Sequence, residues 1–278
     1  MCWCCGRPPA ALFERHRDHD VKAILNLGAG VDSLLDNPAL PDDVPVLKLS
    51  DAGMASHMLD YVRYGLLHFR RDFDRYARQQ ADTQWAPHRV VRAHQYPVAV
   101  LGLGAIGSQI AESLAADGYP VHGFSRSAHT LQGVTCHHET GEGGRSLQQV
   151  LSDESLGLKA VINLLPNTPA TRDVLNAEVF QALPDDAVLI NPGRGSSVVE
   201  EDLVAALEEG KLRGALLDVF QHEPLAEDSP LWHQPRVIIT PHAAAPTPVA
   251  EAADQLADNI RRIQRGEVLT GISREHGY

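Results

Sequence analysis

A chain of 278 residues has room for two domains with sizeable cores, and 44% hydrophobic with 22% charged residues is ordinary globular composition. No stretch approaches the roughly 20 uninterrupted apolar residues of a membrane helix. The formal charge of -12 disfavours a nucleic-acid backbone as the main partner, while leaving room for a local pocket that takes one small anion.

Three of the four cysteines crowd into Cys2-Trp3-Cys4-Cys5, which reads as a short buried strand followed by the turn Gly6-Arg7-Pro8-Pro9. The fourth, Cys136, adjoins His137 and His138. One compact cluster falls short of the two spaced ligand pairs of a structural zinc site, so no metal is expected. The first residues lack the basic segment and apolar core of a secretory signal, and the cysteines form no disulfide framework. The reducing cytoplasm is therefore the expected compartment.

From Val21 onward, short apolar runs alternate with helical patterns, the mark of β-α-β units and a parallel sheet. Strands are expected at Ala23–Leu27, Val98–Leu101, Val121–Phe124, Ala160–Leu165, Ala187–Ile190, Ala215–Val219 and Val237–Thr240. A long helix is expected from about Ser56 to Arg78. A second begins at Thr247-Pro248, with a cap residue and then proline at the first helical position, and carries an apolar stripe of Val249, Ala253, Leu256, Ile260 and Ile263. These two helices are candidate interdomain connectors. Between them, Ile106, Ile110 and Leu114 mark a helix that stops at Gly118, and Glu200, Glu201 and Asp202 open one that carries Leu203 and Leu207 and stops at Gly210. His137 to Arg145, with glycines at 141, 143 and 144, reads as a surface loop.

The strand Val98–Leu101 runs into Gly102-Leu103-Gly104-Ala105-Ile106-Gly107, which has the G-x-G-x-x-G spacing, and a helix leaves it. In that setting the glycines permit a tight turn and close backbone approach, and the helix N-terminus offers its amides to a pyrophosphate. The next strand ends not on an acid for a ribose hydroxyl but on Phe124-Ser125-Arg126-Ser127, where a guanidinium suits a 2′-phosphate. NADPH is the expected cofactor, with NADH the second choice.

Three more segments place polar residues just after an expected strand, at the sheet's carboxyl edge: Asn191-Pro192-Gly193-Arg194-Gly195, Asp218-Val219-Phe220-Gln221-His222-Glu223-Pro224 and Thr240-Pro241-His242-Ala243-Ala244. Reducing a 2-oxo acid needs a cation for the carboxylate and carbonyl, a proton donor near the ketone oxygen, and a group that keeps that donor protonated. Arg194, His242 and Glu223 supply that set.

At these residues the chain resembles the D-isomer-specific 2-hydroxyacid dehydrogenases, and within them the bacterial branch that reduces glyoxylate and hydroxypyruvate. The resemblance runs through Leu27-Gly28-Ala29-Gly30-Val31-Asp32, the glycine motif, Asn163-Leu164-Leu165-Pro166-Asn167-Thr168, Gly193-Arg194-Gly195, Leu217-Asp218-Val219-Phe220, Glu223-Pro224-Leu225, Ser229-Pro230-Leu231-Trp232 and Thr240-Pro241-His242. It implies a Rossmann-type doubly wound parallel sheet inserted into a smaller flavodoxin-like α/β substrate domain. Residues 1–53 would open the substrate domain, 54–243 would bind NAD(P), and 244–278 would return to the substrate domain. Because the family begins with a further strand and helix, the chain is short by about one β-α unit against that pattern: either its start was assigned late or the substrate domain lacks its first β-α unit. Arg194 would bind substrate, His242 act as acid/base and Glu223 as its partner. Backbone amides near Ala29 and Gly30 would hold the substrate carboxylate, and Leu165, Pro166, Pro192 and Asp218 would border the cofactor. The implied activity is NADPH-dependent reduction of glyoxylate and hydroxypyruvate to glycolate and D-glycerate. A dehydrogenase of a bulkier D-2-hydroxy acid and a non-catalytic NAD(P)-sensing regulator stay open as alternatives. A homodimer is implied too, made through the helix from about Ser56 and the segment Trp85-Ala86-Pro87. In it Trp85 either reaches the partner's pocket or packs in the core.

Overall fold

The computed structural model describes the chain apart from Met1, Gly6, Arg7, Arg17, Asp18, Ala29 and residues 274–278; the side chains of residues 2–5 and 33 are also outside the description. The expected turn at Gly6-Arg7 and the expected carboxylate contact at Ala29 thus fall outside the described residues. The chain divides into two compact units: Met1–Met54, Pro166–Thr168 and Pro246–Tyr278 in the first, Ala55–Leu165 and Pro169–Ala245 in the second.

The first unit carries a parallel sheet of β1 (Cys2–Cys5), β2 (Ala23–Asn26) and β3 (Val46–Leu47), in that order. Because β2 side chains alternate, Ile24 packs on one face with Val46, Leu34 of α2 (Asp32–Leu35) and Phe13 of α1 (Ala10–Arg15). On the other face, Ala23, Leu25 and Leu47 meet Leu256, Ile260 and Ile263, the stripe expected on the last helix.

The second unit opens with α3 (Met54–Arg70) and α4 (Phe73–Ala81), followed by β4 (Val98–Leu101), α5 (Ala105–Ala116), β5 (Val121–Ser125) and β6 (Val134–His138). Then come α6 (Leu147–Leu151), β7 (Ala160–Asn163), α7 (Ala177–Ala182), β8 (Ala187–Asn191), α8 (Glu200–Glu208), β9 (Leu212–Leu217) and β10 (Val237–Ile239). Its seven-stranded parallel sheet has the order β10-β9-β8-β7-β4-β5-β6. The direction of winding reverses between β4 and β7, the Rossmann-type arrangement whose crevice takes a ligand at the carboxyl ends of the strands. Ala99 and Leu101 of β4 face a cluster built with α6, α7 and α8, while Val98 and Val100 face one built with α3 and α5. Helices thus cover both faces, which is why these strands read as continuous apolar runs. The expected stop at Gly118 is a C-terminal cap with φ +90°, in which Gly118 N donates to Ala115 O at 3.0 Å and Tyr119 N to Leu114 O at 3.1 Å.

Several local expectations need correction. The helix expected from Ser56 to Arg78 is two helices, because Asp72 turns left-handed (φ +58°) between them. The cause is tertiary: Arg213, from β9, draws Asp72 Oδ1 and Asp74 Oδ1 to 2.6 Å each. The loop expected from His137 begins later, since β6 runs through His138 at the sheet edge, with His122 and His137 stacked on one face at 5.5 Å between ring centres. β7 ends at Asn163 and β9 begins three residues early, at Leu212. The last helix, α9 (Val249–Gln264), has Pro248 as its cap residue; Thr247 donates to Met54 Sδ instead of capping, and Val249 is 83% exposed, off the packed stripe. No helix among the described residues is long and apolar enough to cross a membrane.

Candidate active site

The turn after β4 has the space a pyrophosphate requires. A β-carbon on Gly102 (φ +95°) would stand 2.6 Å from Leu164 O, and one on Gly107 would collide with the carbonyl of Gly102, so the turn closes only without side chains. Gly104, by contrast, faces open space: nothing lies within 4 Å of where its β-carbon would be. Gly104 is the cap residue of α5 with no side-chain cap, so the first-turn amides at Ala105, Ile106 and Gly107 keep their capacity for an anion. Leu103 is buried in the apolar cluster shared with α3 and α5. These residues fit a dinucleotide.

At the end of the adjacent β5, Arg126 and Ser127 are exposed. Ser125 is not displayed beside them: it is 8% exposed, and its hydroxyl donates to Ser127 O at 2.7 Å, shaping the turn. Thr140 pins the same turn, its amide and hydroxyl both donating to Arg126 O, at 3.0 and 2.9 Å.

The turns expected to carry chemistry follow β8, β9 and β10, three neighbouring strands. His242, after β10, has φ +54°, and its Nδ1 lies 2.7 Å from Glu223 Oε2. Glu223 is itself held, its Oε1 accepting from Phe220 N at 3.1 Å. The His242 side chain is 48% exposed and that of Glu223 25%, so the ring is anchored on one nitrogen and open to a reactant. Asp218 is 1% exposed, and its carboxylate accepts from Thr240 Oγ1 at 2.6 Å and from the amides of Ala243 and Ala244 at 2.8 and 2.9 Å. Its visible work is to hold the His242 turn.

Arg194 lies half-buried after β8, with Nη1 donating to Gly193 O at 2.7 Å and buried Pro192 two residues before it. Beneath it is a polar cluster of which the sequence offered Asn163 through the resemblance and Asn191 as a strand-end residue, and Ser197 not at all. Asn163, fully buried, donates from Nδ2 to Asn191 Oδ1 at 2.8 Å and to Ser197 Oγ at 2.6 Å, while its Oδ1 accepts from the amide of buried Leu165. Asn191 Nδ2 and Ser197 Oγ then both donate to Arg194 O, at 3.2 and 2.7 Å. A satisfied buried network of this kind fixes one backbone path, since a broken member strands its partners without water. The signal available was an asparagine ending each of two otherwise apolar strands; Ser197, in the turn after Arg194, carried none.

In the first unit, the turn after β2 carries Gly30, whose carbonyl accepts from Asn26 Nδ2 at 2.6 Å; the same amide donates to Gly28 O at 2.9 Å. Asn26 is 3% exposed and was not anticipated, although an asparagine before a glycine turn is a recognisable turn-former. Pro166 opens the short stretch Pro166–Thr168 that groups with this unit.

Residues 64–244 match the model of the D-isomer specific 2-hydroxyacid dehydrogenase NAD binding domain. Over 277 residues the chain is 42% identical to a glyoxylate/hydroxypyruvate reductase A of Klebsiella pneumoniae (strain 342), covering 98% of this chain and 85% of that protein. Among solved structures it is similar to a D-isomer specific 2-hydroxyacid dehydrogenase from Xanthobacter autotrophicus Py2 in complex with NADPH and MES. The TM-score is 0.91 and the identity 40%, covering 100% of this chain and 85% of that one. It is also similar to an NADPH-dependent glyoxylate/hydroxypyruvate reductase from Sinorhizobium meliloti in complex with NADP and sulfate, with TM-score 0.90 and 33% identity, covering 100% and 86%. With the glycine turn, the strand order and the His242–Glu223 pair agreeing with a match across most of its length, the chain belongs to the D-isomer-specific 2-hydroxyacid dehydrogenase family.

Proposed function

We propose that this chain is a cytoplasmic, NADPH-dependent reductase of small 2-oxo acids that converts glyoxylate to glycolate and hydroxypyruvate to D-glycerate. The observation that carries the proposal is the 2.7 Å contact between His242 Nδ1 and Glu223 Oε2 at the carboxyl edge of a dinucleotide-binding sheet. A carboxylate only accepts hydrogen bonds, so Nδ1 bears a proton and Nε2 is the atom left to exchange one with a reactant.

Gly102 to Gly107, with Arg126 and Ser127, would hold NADPH, bordered by Leu165, Pro166, Pro192 and Asp218, and the bound cofactor would supply the hydride for reduction at C2 of the acid. Arg194 binds the acid's carboxylate and polarises its carbonyl. His242 delivers a proton from Nε2 to the developing alkoxide, and Glu223 keeps the ring oriented throughout. Residues 1–53 and 244–278, which fall almost wholly in the first unit, serve as the substrate domain, and 54–243 as the cofactor domain. The reductase works as a homodimer joined through α3, α4 and the Trp85 segment, where Tyr64, Leu67, Phe73, Trp85 and Val90 are exposed.

The test is NADPH oxidation with glyoxylate, hydroxypyruvate and a panel of bulkier 2-oxo acids. Glyoxylate and hydroxypyruvate should be the preferred substrates, and His242→Ala should lower kcat by about 10²- to 10⁴-fold while leaving NADPH affinity intact. Preference for a bulkier acid would overturn the substrate assignment. Tight NADPH binding without turnover of any acid would leave a sensor, and near-normal turnover in His242→Ala would overturn the mechanism.

A further inference from the structure

Tyr61, in α3, belongs to no motif, yet its phenol ends a hydrogen-bond chain that reaches the turn bearing His242. Its hydroxyl lies 2.8 Å from Thr240 Oγ1, and Thr240 Oγ1 lies 2.6 Å from Asp218 Oδ1. Proton count sets the direction of both bonds. Asp218 can only accept, so the single Thr240 hydroxyl proton goes to it and the phenol donates to Thr240. Burial, reinforced by the Asp218 charge and opposed by the Thr240 bond, pushes the Tyr61 hydroxyl well above its ordinary ionisation range, so it keeps the proton it donates.

The receiving end of this chain is a clamp. Asp218 O accepts from His242 N at 2.8 Å, and its two carboxylate oxygens accept from Ala243 N and Ala244 N at 2.8 and 2.9 Å. His242 has a left-handed backbone (φ +54°), which a β-carbon disfavours and which persists only where neighbouring bonds enforce it. Asp218 is 1% exposed, so the hydroxyl and the two amides, not water, orient its carboxylate.

We propose that Tyr61 is a positioning residue for the proton donor: by holding the Thr240 hydroxyl on Asp218 it fixes the carboxylate that clamps residues 242–244, and so sets where the His242 ring is presented. The consequence for catalysis rests on the reductase reading; the clamp is a property of the chain whatever the reaction. The ring of Tyr61 packs against the cluster shared by α3 and α5, and phenylalanine preserves that packing.

The experiment compares Tyr61→Phe, Thr240→Val, Thr240→Ser and the double variant Tyr61→Phe/Thr240→Val. Melting temperature, NADPH dissociation constant, kcat and KM for glyoxylate, and amide hydrogen exchange of the 240–244 segment are measured for each. Tyr61→Phe should lower kcat about fivefold and speed exchange at 240–244 about fivefold, with Tm, NADPH affinity and KM unmoved. Thr240→Ser should behave as wild type, and the double variant should be no slower than Thr240→Val, because both changes break one chain. Wild-type exchange at 240–244 in Tyr61→Phe, faster exchange throughout the second unit, or effects that multiply in the double variant would each overturn the proposal. If the wild-type protein oxidises NADPH with no 2-oxo acid, the reductase reading falls, and exchange at 240–244 still decides the role of Tyr61.

Discussion

Arg126 is an exposed guanidinium at the end of the strand next to the glycine turn, where the chain carries no acid. A charge-assisted contact to a 2′-phosphate is worth about 1.5–3 kcal/mol, and an aspartate in its place would repel that phosphate. Arg126→Asp should therefore lower the ratio of kcat/KM for NADPH over NADH by about tenfold or more. An unchanged ratio in parallel steady-state assays would remove Arg126 from the cofactor site. At this scale the candidate residues were legible where a strand end, a glycine and a charged side chain follow one another. Ser125 shows the limit: its hydroxyl donates to Ser127 O, a rotamer choice no sequence pattern carries.

The elements α4 and β9 are joined by a nearly buried ion network. Arg213 reaches Asp72 and Asp74 at 2.6 Å each, and the three side chains are 12%, 9% and 8% exposed. Burial works to raise the Asp74 carboxyl, but the hydrogen bonds and charge of Arg213, with help from the Arg75 amide and Arg78, outweigh it and hold Asp74 below the usual carboxylate range. Removing one partner of such a network leaves buried charge uncompensated, at a cost of about 3–5 kcal/mol. Arg213→Met should lose stability on that order in urea titration at neutral pH. The sign with pH follows from linkage. A carboxylate depressed in the folded state stabilises above its unfolded pKa of about 3.9, and that contribution disappears as pH falls through the folded value. The stability gap between wild type and Arg213→Met should thus narrow as the solution is acidified through the carboxylate range. A gap that stays constant or widens would show that Arg213 contributes packing and not charge pairing.

For the whole molecule, the exposed apolar side chains Tyr64, Leu67, Phe73, Trp85 and Val90 come from one stretch of chain in the second unit. Trp85 is fully exposed, so within the single chain it has no core role, and a large aromatic in water is a characteristic interface anchor. Light scattering at micromolar concentration should return a dimer for the wild-type chain. Trp85→Glu should weaken association by about tenfold or more. A monomeric mass for the wild-type chain would overturn the dimer.

What the sequence determined by itself was whatever depends on neighbours along the chain: the alternation of apolar runs with helical patterns, the glycine turn between β4 and α5, the stop at Gly118, and the order of Arg194, Glu223 and His242 after successive strands. Each is local chemistry, a backbone path or a periodicity that a few consecutive residues dictate. Tertiary structure decided what depends on residues far apart. It split one expected helix at Asp72 because Arg213, 141 positions on, draws in its carboxylate. It made β6, a strand the sequence reading did not expect, by laying Val134–His138 beside β5, and it gathered Asn163, Asn191 and Ser197 under Arg194. It also joined Tyr61 to Thr240 across 179 residues. Such pairings are chosen by the burial of polar groups that must find partners once water is excluded, and the partner is known only when the chain has folded.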